Sequence, residues 1–201
     1  MSDEFSFLFA FYGLLLGLAV TEIVAGFSRA YDERAARPLG VIAPLFAILL
    51  FLDLITFWVS AWEWRALNTV EFAHAVAAAV VALLYYFAAT QVFPKEGDVD
   101  ALTSHILQHR RPVVFCVIVS NVIALIPTLA SAIEGRAPVM ELAVWIAVNL
   151  LYYAALILAA TARSHRLIIA TLVLLITYIS VATLVLRSEE HTSELQSRAY
   201  L

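Results

Sequence analysis

Two carboxylic acids lie inside long apolar stretches of the sequence, where other charges are few. Glu22 lies within residues 7–27 and Asp53 within residues 39–62, and both stretches are long enough to cross a lipid bilayer as a helix. A charge near the bilayer centre costs at least about 2.5–3.5 kcal/mol, so such residues either handle protons and ions or are held by hydrogen bonds between helices. At a helical rise of about 1.5 Å per residue the two lie at different depths, which argues against a carboxylate pair.

Asp53 shares its predicted depth with polar residues of other stretches. Asp53 and Thr56 are three residues apart on one helical face, and Asn149 reaches the same depth, about 15 Å from one membrane face against about 14 Å for Asp53. Four tyrosines lie about one turn deeper: Tyr85, Tyr86, Tyr152 and Tyr153. We therefore predict a polar layer of Asp53, Thr56, Asn149 and one or more tyrosines. It is either a proton- or cation-binding position or a protonated Asp53 that joins helices by hydrogen bonds.

Glu22 is predicted to lie nearer the other membrane face, about 8 Å from the end of its helix. Ser120 and Asn121 come near its depth, and Gln91 and Arg29 lie closer to that face. These residues form a second candidate polar group. The alternative is that Glu22 only pairs with Arg29 and ends the helix.

Small residues recur at every fourth position of the first apolar stretch. Gly13, Gly17, Thr21 and Ala25 form a small-xxx-small ridge that predicts close approach of a second helix. Glu22 lies one residue from this ridge and is therefore expected to face protein. The ridge leaves open whether its partner lies within the chain, in a second copy or in another membrane subunit.

Metal-binding and catalytic motifs are weak or missing in the sequence. His105 and His109 lie one turn apart, downstream of Asp98 and Asp100, but the sequence holds no HExxH motif and no second histidine pair. An amphipathic helix over residues 101–110, lying on the membrane surface, explains these histidines better. The sequence also contains no GxGxxG, P-loop, GxSxG or CxxC motif. We predict no catalytic residue, no metal and no cofactor.

The overall composition is that of a membrane protein. Hydrophobic residues make up 63% of the 201 residues and charged residues 14%, with a mean hydropathy of +0.91; soluble domains have about 45–50% and about 25%. The net charge of −4 and the scattered basic residues exclude nucleic-acid binding, and the single Cys116 excludes a disulfide framework. We predict an all-α bundle of six transmembrane helices. The spans are residues 7–27, 39–62, 71–93, 113–133, 139–161 and 167–186.

The last residues of the chain differ in kind from the rest. Arg187 to Ser197 reads RSEEHTSELQS, and residues 187–201 resemble the translation of a short-read sequencing adaptor. We therefore treat this segment as non-native and expect residues 1–186 to form a single membrane domain. The alternative is a natural polar tail.

Lysine and arginine are unevenly distributed between the predicted loops. The loops after the first, third and fifth spans contain eight: Arg29, Arg34, Arg37, Lys95, Arg110, Arg111, Arg163 and Arg166. The other loops contain two, Arg65 and Arg136, once residues 187–201 are set aside. Cytoplasmic loops carry the excess of basic residues. Loops 28–38, 94–112 and 162–166 are therefore predicted to be cytoplasmic, with the N-terminus outside.

Short sequence features carry a family resemblance. They are Tyr12-Gly13-Leu14-Leu15-Leu16-Gly17 leading to Thr21-Glu22 and Arg29, Asp53 followed by Trp58 and Trp62, and Tyr85-Tyr86 before Val92-Phe93-Pro94. With these features the chain resembles small multi-pass inner-membrane proteins of bacteria, a group to which no activity is assigned. The resemblance implies a place in the bacterial inner membrane and carries no substrate or cofactor with it.

Two functions from different classes fit these observations. The first is a structural or accessory subunit, whose polar residues serve helix packing and whose partners are the lipid bilayer and a second copy or another membrane subunit. The alternative is a small proton- or cation-coupled transporter that uses Asp53. A membrane-embedded enzyme is the least favoured, because no catalytic constellation is present.

Overall fold

A computed structural model of the protein describes residues 3–35, 38–63, 72–94, 102–133 and 139–199. All regular structure within these residues is helical. The helices are α1 (Asp3–Asp32), α2 (Ile42–Glu63), α3 (Phe72–Val92), α4 (Leu102–Ile133), α5 (Val139–Thr161) and α6 (His165–Ala199), with a 3₁₀ turn at Glu33–Ala35. Six of the described helices are long and apolar enough to cross a membrane, which confirms the all-helical class with six helices of membrane length.

The helices form because the apolar runs must satisfy their backbone groups in lipid. An α-helix pairs every interior N–H and C=O within its own segment. The 22 residues of α2 give a length of about 33 Å, against about 30 Å for the hydrocarbon core of a bilayer. Pro44 lies in the first turn of α2, where the missing N–H has no intrahelical partner to lose.

Successive helices run in opposite directions in one bundle. The start of α1 meets the end of α2, where the Phe9 and Trp58 rings stack at 5.4 Å, and the end of α1 meets the end of α3, where Phe27 and Phe93 pack edge to face. The closest-packed neighbours are α1 with α3 and α3 with α4, followed by α2 with α6. Large apolar side chains on the outside of α5 and α6 are exposed, as expected for helices that face lipid.

One end of the bundle collects the described arginines that precede residue 187, and we call it the basic end. It contains the ends of α1, α3 and α5 and the starts of α2, α4 and α6. Its arginines are Arg29, Arg34, Arg110, Arg111, Arg163 and Arg166. Gly40 lies in the connection here with φ +60°, a conformation that glycine adopts without strain, and its Cα is packed against Thr103 of α4. That the basic end faces the cytoplasm stays a prediction.

The predicted surface helix over residues 101–110 is not a separate element. α4 runs without interruption from Leu102 through Pro112 to Ile133, so these residues are its first turns. Leu102 and Ile106 form the expected apolar face, but they are buried in the core. Burial of this face holds the first turns in line with the rest of α4. The stabilisation from this burial outweighs the loss of one backbone hydrogen bond at Pro112. α1 likewise extends beyond its predicted end, to Asp32.

α6 is the longest described helix, and it continues past the predicted membrane span. The part suited to a membrane is His165–Leu184, while the helix as a whole ends at Ala199. It therefore includes most of residues 187–201. A helical backbone carries no information on the origin of these residues, so their assignment to an adaptor stays a prediction.

Candidate functional site

Asp53 is the centre of a polar cluster inside the bundle. It lies near the middle of α2 and is only 4% exposed. The hydroxyl of Tyr85, from α3, donates a hydrogen bond to Asp53 Oδ2. The amide Nδ2 of Asn121, from α4, donates to the same oxygen at 3.2 Å. One carboxyl oxygen thereby joins three helices.

Asn121 is held in place by its own helix. Its Nδ2 also donates to the backbone carbonyl of Val117 at 3.0 Å, and it lies 3.4 Å from the Tyr85 hydroxyl oxygen. The Tyr85 hydroxyl can thus accept from Asn121 while it donates to Asp53. Chains of hydrogen bonds of this kind polarise and strengthen one another in a low-dielectric interior.

A second tyrosine approaches the same carboxyl group from α5. Tyr152 is buried, and its hydroxyl is close enough to Asp53 to interact with it. No hydrogen bond of ordinary geometry joins the two groups, and the hydroxyl has no other partner among the described residues. We define the Asp53 cluster as Asp53, Tyr85, Asn121 and Tyr152, which come from α2, α3, α4 and α5.

Apolar side chains enclose the cluster. Leu50 and Leu54 flank Asp53 in the core, and the Phe57 ring packs edge to face on Tyr85 at 5.2 Å. Among the described residues, the ion pair present lies elsewhere, between Arg29 and Glu22. The partners that face Asp53 are therefore neutral donors. They can stabilise a carboxylate, or they can hold a protonated acid whose second oxygen carries the proton.

Of the predicted polar layer, the structure brings Asp53 together with Tyr85 and Tyr152, and among the described residues it places no hydrogen bond between Asp53 and Asn149. Asn149 lies on α5 and donates to the carbonyl of Trp145 on its own helix at 2.9 Å. Thr56 contacts Asp53 through the backbone, where its hydroxyl donates to the Asp53 carbonyl oxygen at 2.7 Å. The carboxyl group itself is bound by Asn121, which was expected beside Glu22.

The depth predicted for Asn121 was wrong because α4 does not begin at the edge of the apolar stretch. Counted from residue 113, Asn121 lies about 12 Å into the span, near the depth of Glu22. Counted from the observed start at Leu102, it lies about 29 Å along the helix. Asp53, which Asn121 contacts, lies about 17 Å from the start of α2, so α4 extends about 12 Å beyond the level of that start, and Asn121 lies about one helical turn deeper than the count from residue 113 gave.

Glu22 forms the simpler of its two predicted arrangements. Arg29 Nη2 lies 3.4 Å from Glu22 Oε1, and both side chains are partly exposed. Gln91 donates instead to Thr90 at 3.2 Å. Since exposed ion pairs contribute about 0–1 kcal/mol, this pair is a weak stabilising contact. It does not end the helix, which continues to Asp32.

Within the chain, the small-residue ridge of α1 is packed only in part: a Cβ added to Gly13 would lie 3.3 Å from Trp58 Nε1, and Ala25 is half-buried. Gly17 and Thr21 are exposed, and a Cβ added to Gly17 would meet nothing within 4 Å. The buried face of α1 contains Tyr12, Leu16, Ala19, Ile23 and Gly26. The small residues that allow close approach are on α3, whose buried positions include several alanines: Ala78, Ala82, Ala88 and Ala89. The alanine-rich sequence of α3 was the feature from which this interface could have been predicted.

The two histidines of the pair lie side by side on the first turns of α4. The rings of His105 and His109 stack at 4.2 Å, and His109 Nδ1 lies 2.9 Å from the His105 carbonyl oxygen. Among the residues that the structure describes, no group of three His, Cys, Asp or Glu side chains is placed to bind a metal ion. Asp98 and Asp100 lie outside the described residues.

Together, the fold and the cluster define a class: an α-helical chain with six membrane-length helices and a buried carboxyl group joined to neighbouring helices. No protein-family model, curated protein or solved structure matches the chain. Its function is therefore argued from the cluster itself.

Proposed function

We propose that the protein is a structural or accessory subunit of a membrane assembly, with the Asp53 cluster as the contact that fixes its helices. The observation that carries the proposal is that neutral donors from two other helices, Tyr85 and Asn121, bind one buried oxygen of Asp53. Polar side chains join helices in this way where lipid offers them no competing partner. The bacterial inner membrane, with the basic end in the cytoplasm, is the location we propose.

A carrier would need a polar route between Asp53 and each side of the membrane. The cavity beside the cluster has a volume of about 230 Å³ and is lined by leucine, valine and alanine side chains with two tyrosine rings. Such a surface suits lipid chains and does not hold a file of water molecules. This cavity therefore gives Asp53 no polar route toward either side of the membrane.

One observation favours a second candidate, a proton-coupled carrier. The Tyr152 hydroxyl faces Asp53 without an ordinary hydrogen bond, so a second O–H group lies beside a carboxyl group already bound by Tyr85. Two hydroxyl groups on one acid are an arrangement that could exchange a proton. In that case, neutralising Asp53 would remove transport and leave the fold intact.

Proton flux into sealed vesicles separates the two functions. The protein and its Asp53→Asn variant are reconstituted into vesicles that contain a pH-sensitive dye, with Asn149→Ala as a control for loss of a polar side chain outside the cluster. We expect all three to dissipate a pH gradient no faster than empty vesicles. Flux through the natural protein and the control that is lost in Asp53→Asn would overturn the structural role in favour of the carrier.

The accessory role has its own readout. On a native gel of solubilised membranes, a subunit of an assembly migrates with a mass well above its own 22.2 kDa. We expect Asp53→Asn to migrate with the same assembly, because a neutral amide can replace a protonated acid in the cluster. Migration of the natural protein as a single chain would contradict the accessory role.

A further inference from the structure

The turn between α5 and α6 carries a concentrated positive charge at the basic end. α5 ends at Thr161 and α6 begins at His165, and the exposed residues of this turn include Arg163 and Arg166. The first backbone N–H groups of α6 lie at the same turn, and they add a favourable potential for an anion.

A third arginine reaches this turn from α4. Arg110 Nη1 donates to the carbonyl oxygen of Ala159 at 3.4 Å, which fixes the guanidinium at the last turn of α5. Its Nε is buried and has no acceptor among the described residues. Since Ala159 precedes Arg163 by four residues, the guanidinium lies within about one helical turn of Arg163. Arg110 therefore adds positive charge to the same region.

An apolar groove on the same two helices lies below this charge. It is the cavity of about 230 Å³, lined on α5 by Val148, Tyr152 and Ala155 and on α6 by Leu174 and Tyr178. Residues 155 to 148 lie about 9–20 Å from the end of α5. That is the depth range of a lipid acyl chain in one leaflet of a bilayer whose hydrocarbon core is about 30 Å thick.

We propose that the α5–α6 hairpin binds one anionic phospholipid. Arg163 and Arg166 hold its phosphate, with Arg110 adding charge from α4, and one acyl chain lies in the groove over Tyr152. Charge complementarity at the turn and the depth of the groove beneath it point to the same ligand. The inference goes beyond the structural role of the Asp53 cluster and does not depend on it.

The test counts lipids that stay on the purified protein. The chain is equilibrated in mixed micelles with equal phosphatidylglycerol and phosphatidylcholine, and the retained lipid is identified by native mass spectrometry. We expect one retained phosphatidylglycerol per chain. At about 1 kcal/mol per basic residue, Arg163→Gln or Arg166→Gln weakens retention about fivefold, and the double variant about thirtyfold.

Arg34→Gln is the matched charge control. Arg34 lies at the same end, but its guanidinium stacks on the Tyr31 ring at 3.7 Å and donates to the Tyr31 carbonyl oxygen at 2.7 Å. This variant should retain phosphatidylglycerol as the natural protein does. Equal retention of the two lipids, or an equal loss in Arg34→Gln and Arg163→Gln, would overturn the phosphate site.

A second pair of variants tests the acyl chain with all arginines in place. Leu174 lines the groove and is 63% exposed, so Leu174→Trp fills the groove without disturbing the core. Leu184→Trp, on the same helix at a residue 69% exposed and outside the groove, is its control. We expect loss of the lipid in the first and retention in the second. Equal retention in both variants, or displacement of the lipid by inorganic phosphate alone, would overturn the proposal.

Discussion

At the scale of single residues, the Asp53 cluster shows how a carboxyl group is accommodated among apolar helices. Its oxygen Oδ2 accepts hydrogen bonds from Tyr85 and Asn121, which are both neutral donors. Each such hydrogen bond in a membrane protein contributes about 0.6 kcal/mol on average and up to about 1.7 kcal/mol. The cluster is therefore a moderate stabilising contact that joins α2, α3 and α4.

Removal of the Tyr85 hydroxyl should destabilise the fold. Tyr85→Phe keeps the ring and takes one donor from a buried acceptor, so we expect the free energy of unfolding to fall by about 1–2 kcal/mol. The measurement is reversible unfolding of the protein in mixed micelles. Tyr86→Phe is the control, because Tyr86 is 41% exposed and should change stability by less than about 0.5 kcal/mol. A loss of equal size in both variants would show that the hydroxyl of Tyr85 does not contribute.

At the scale of elements, helix positions could be predicted from the sequence more easily than helix faces. The apolar stretch 139–161 coincides with α5, and 39–62 lies within three residues of the bounds of α2. In lipid, the face toward protein and the face toward lipid are both apolar, so periodicity does not tell them apart. For this reason the ridge at Gly17 was taken for a packing face although it is exposed.

The bounds that were wrong have a related cause. α4 begins at Leu102, 11 residues before the predicted span. The prediction missed these first turns because they contain the polar residues His109, Arg110 and Arg111, which are not typical of a membrane span. A helix continues through such residues as long as its backbone stays paired and its apolar face has something to pack against. The length of α4 determines the depth of Asn121, so this part of the candidate site could not be derived from the spans.

Substitution of glycines on opposite faces of α1 should show which face packs against the other helices. An added Cβ at Gly26 would come within 2.8 Å of Phe93 Cγ, and the ring belongs to the core between α1 and α3. We expect Gly26→Ala to lower the free energy of unfolding by about 1–3 kcal/mol through overpacking. Gly17→Ala, with open space at the Cβ, should be neutral or stabilise by up to about 1 kcal/mol.

Unfolding of both glycine variants in the same mixed micelles provides the comparison. If Gly17→Ala destabilised the protein more than Gly26→Ala, the ridge predicted from small residues would be the packing face, and the observed arrangement of α1 against α3 would be contradicted.

At the scale of the whole molecule, the charge distribution predicts how the bundle is inserted. The arginines near the end of α1, in the first turns of α4 and at the α5–α6 turn share one end of the bundle, so the loop charges counted along the sequence also coincide in space. This supports an orientation with the basic end in the cytoplasm. The side of the membrane on which each end lies can be tested by replacing a single exposed serine with cysteine and labelling it, because the natural Cys116 is buried.

Ser164 lies in the α5–α6 turn and Ser6 near the start of α1, and both are exposed. A membrane-impermeant maleimide should label Ser6→Cys in intact cells and Ser164→Cys only after the membrane is opened, since the excess of basic residues keeps its end inside. The parent chain with Cys116 alone is the control. Labelling of Ser164→Cys and not Ser6→Cys in intact cells would reverse the predicted orientation.

The central claim is that Asp53 and Asn121 stabilise the bundle through each other. A double-mutant cycle of Asp53→Leu and Asn121→Leu, followed by unfolding in mixed micelles, measures this coupling directly. We predict that the double variant loses about 0.5–1.7 kcal/mol less than the sum of the two single losses, because either single variant already removes the hydrogen bond between the two residues. Losses that simply add would show that the two residues act independently, and would contradict the account of the cluster as the contact that fixes these helices.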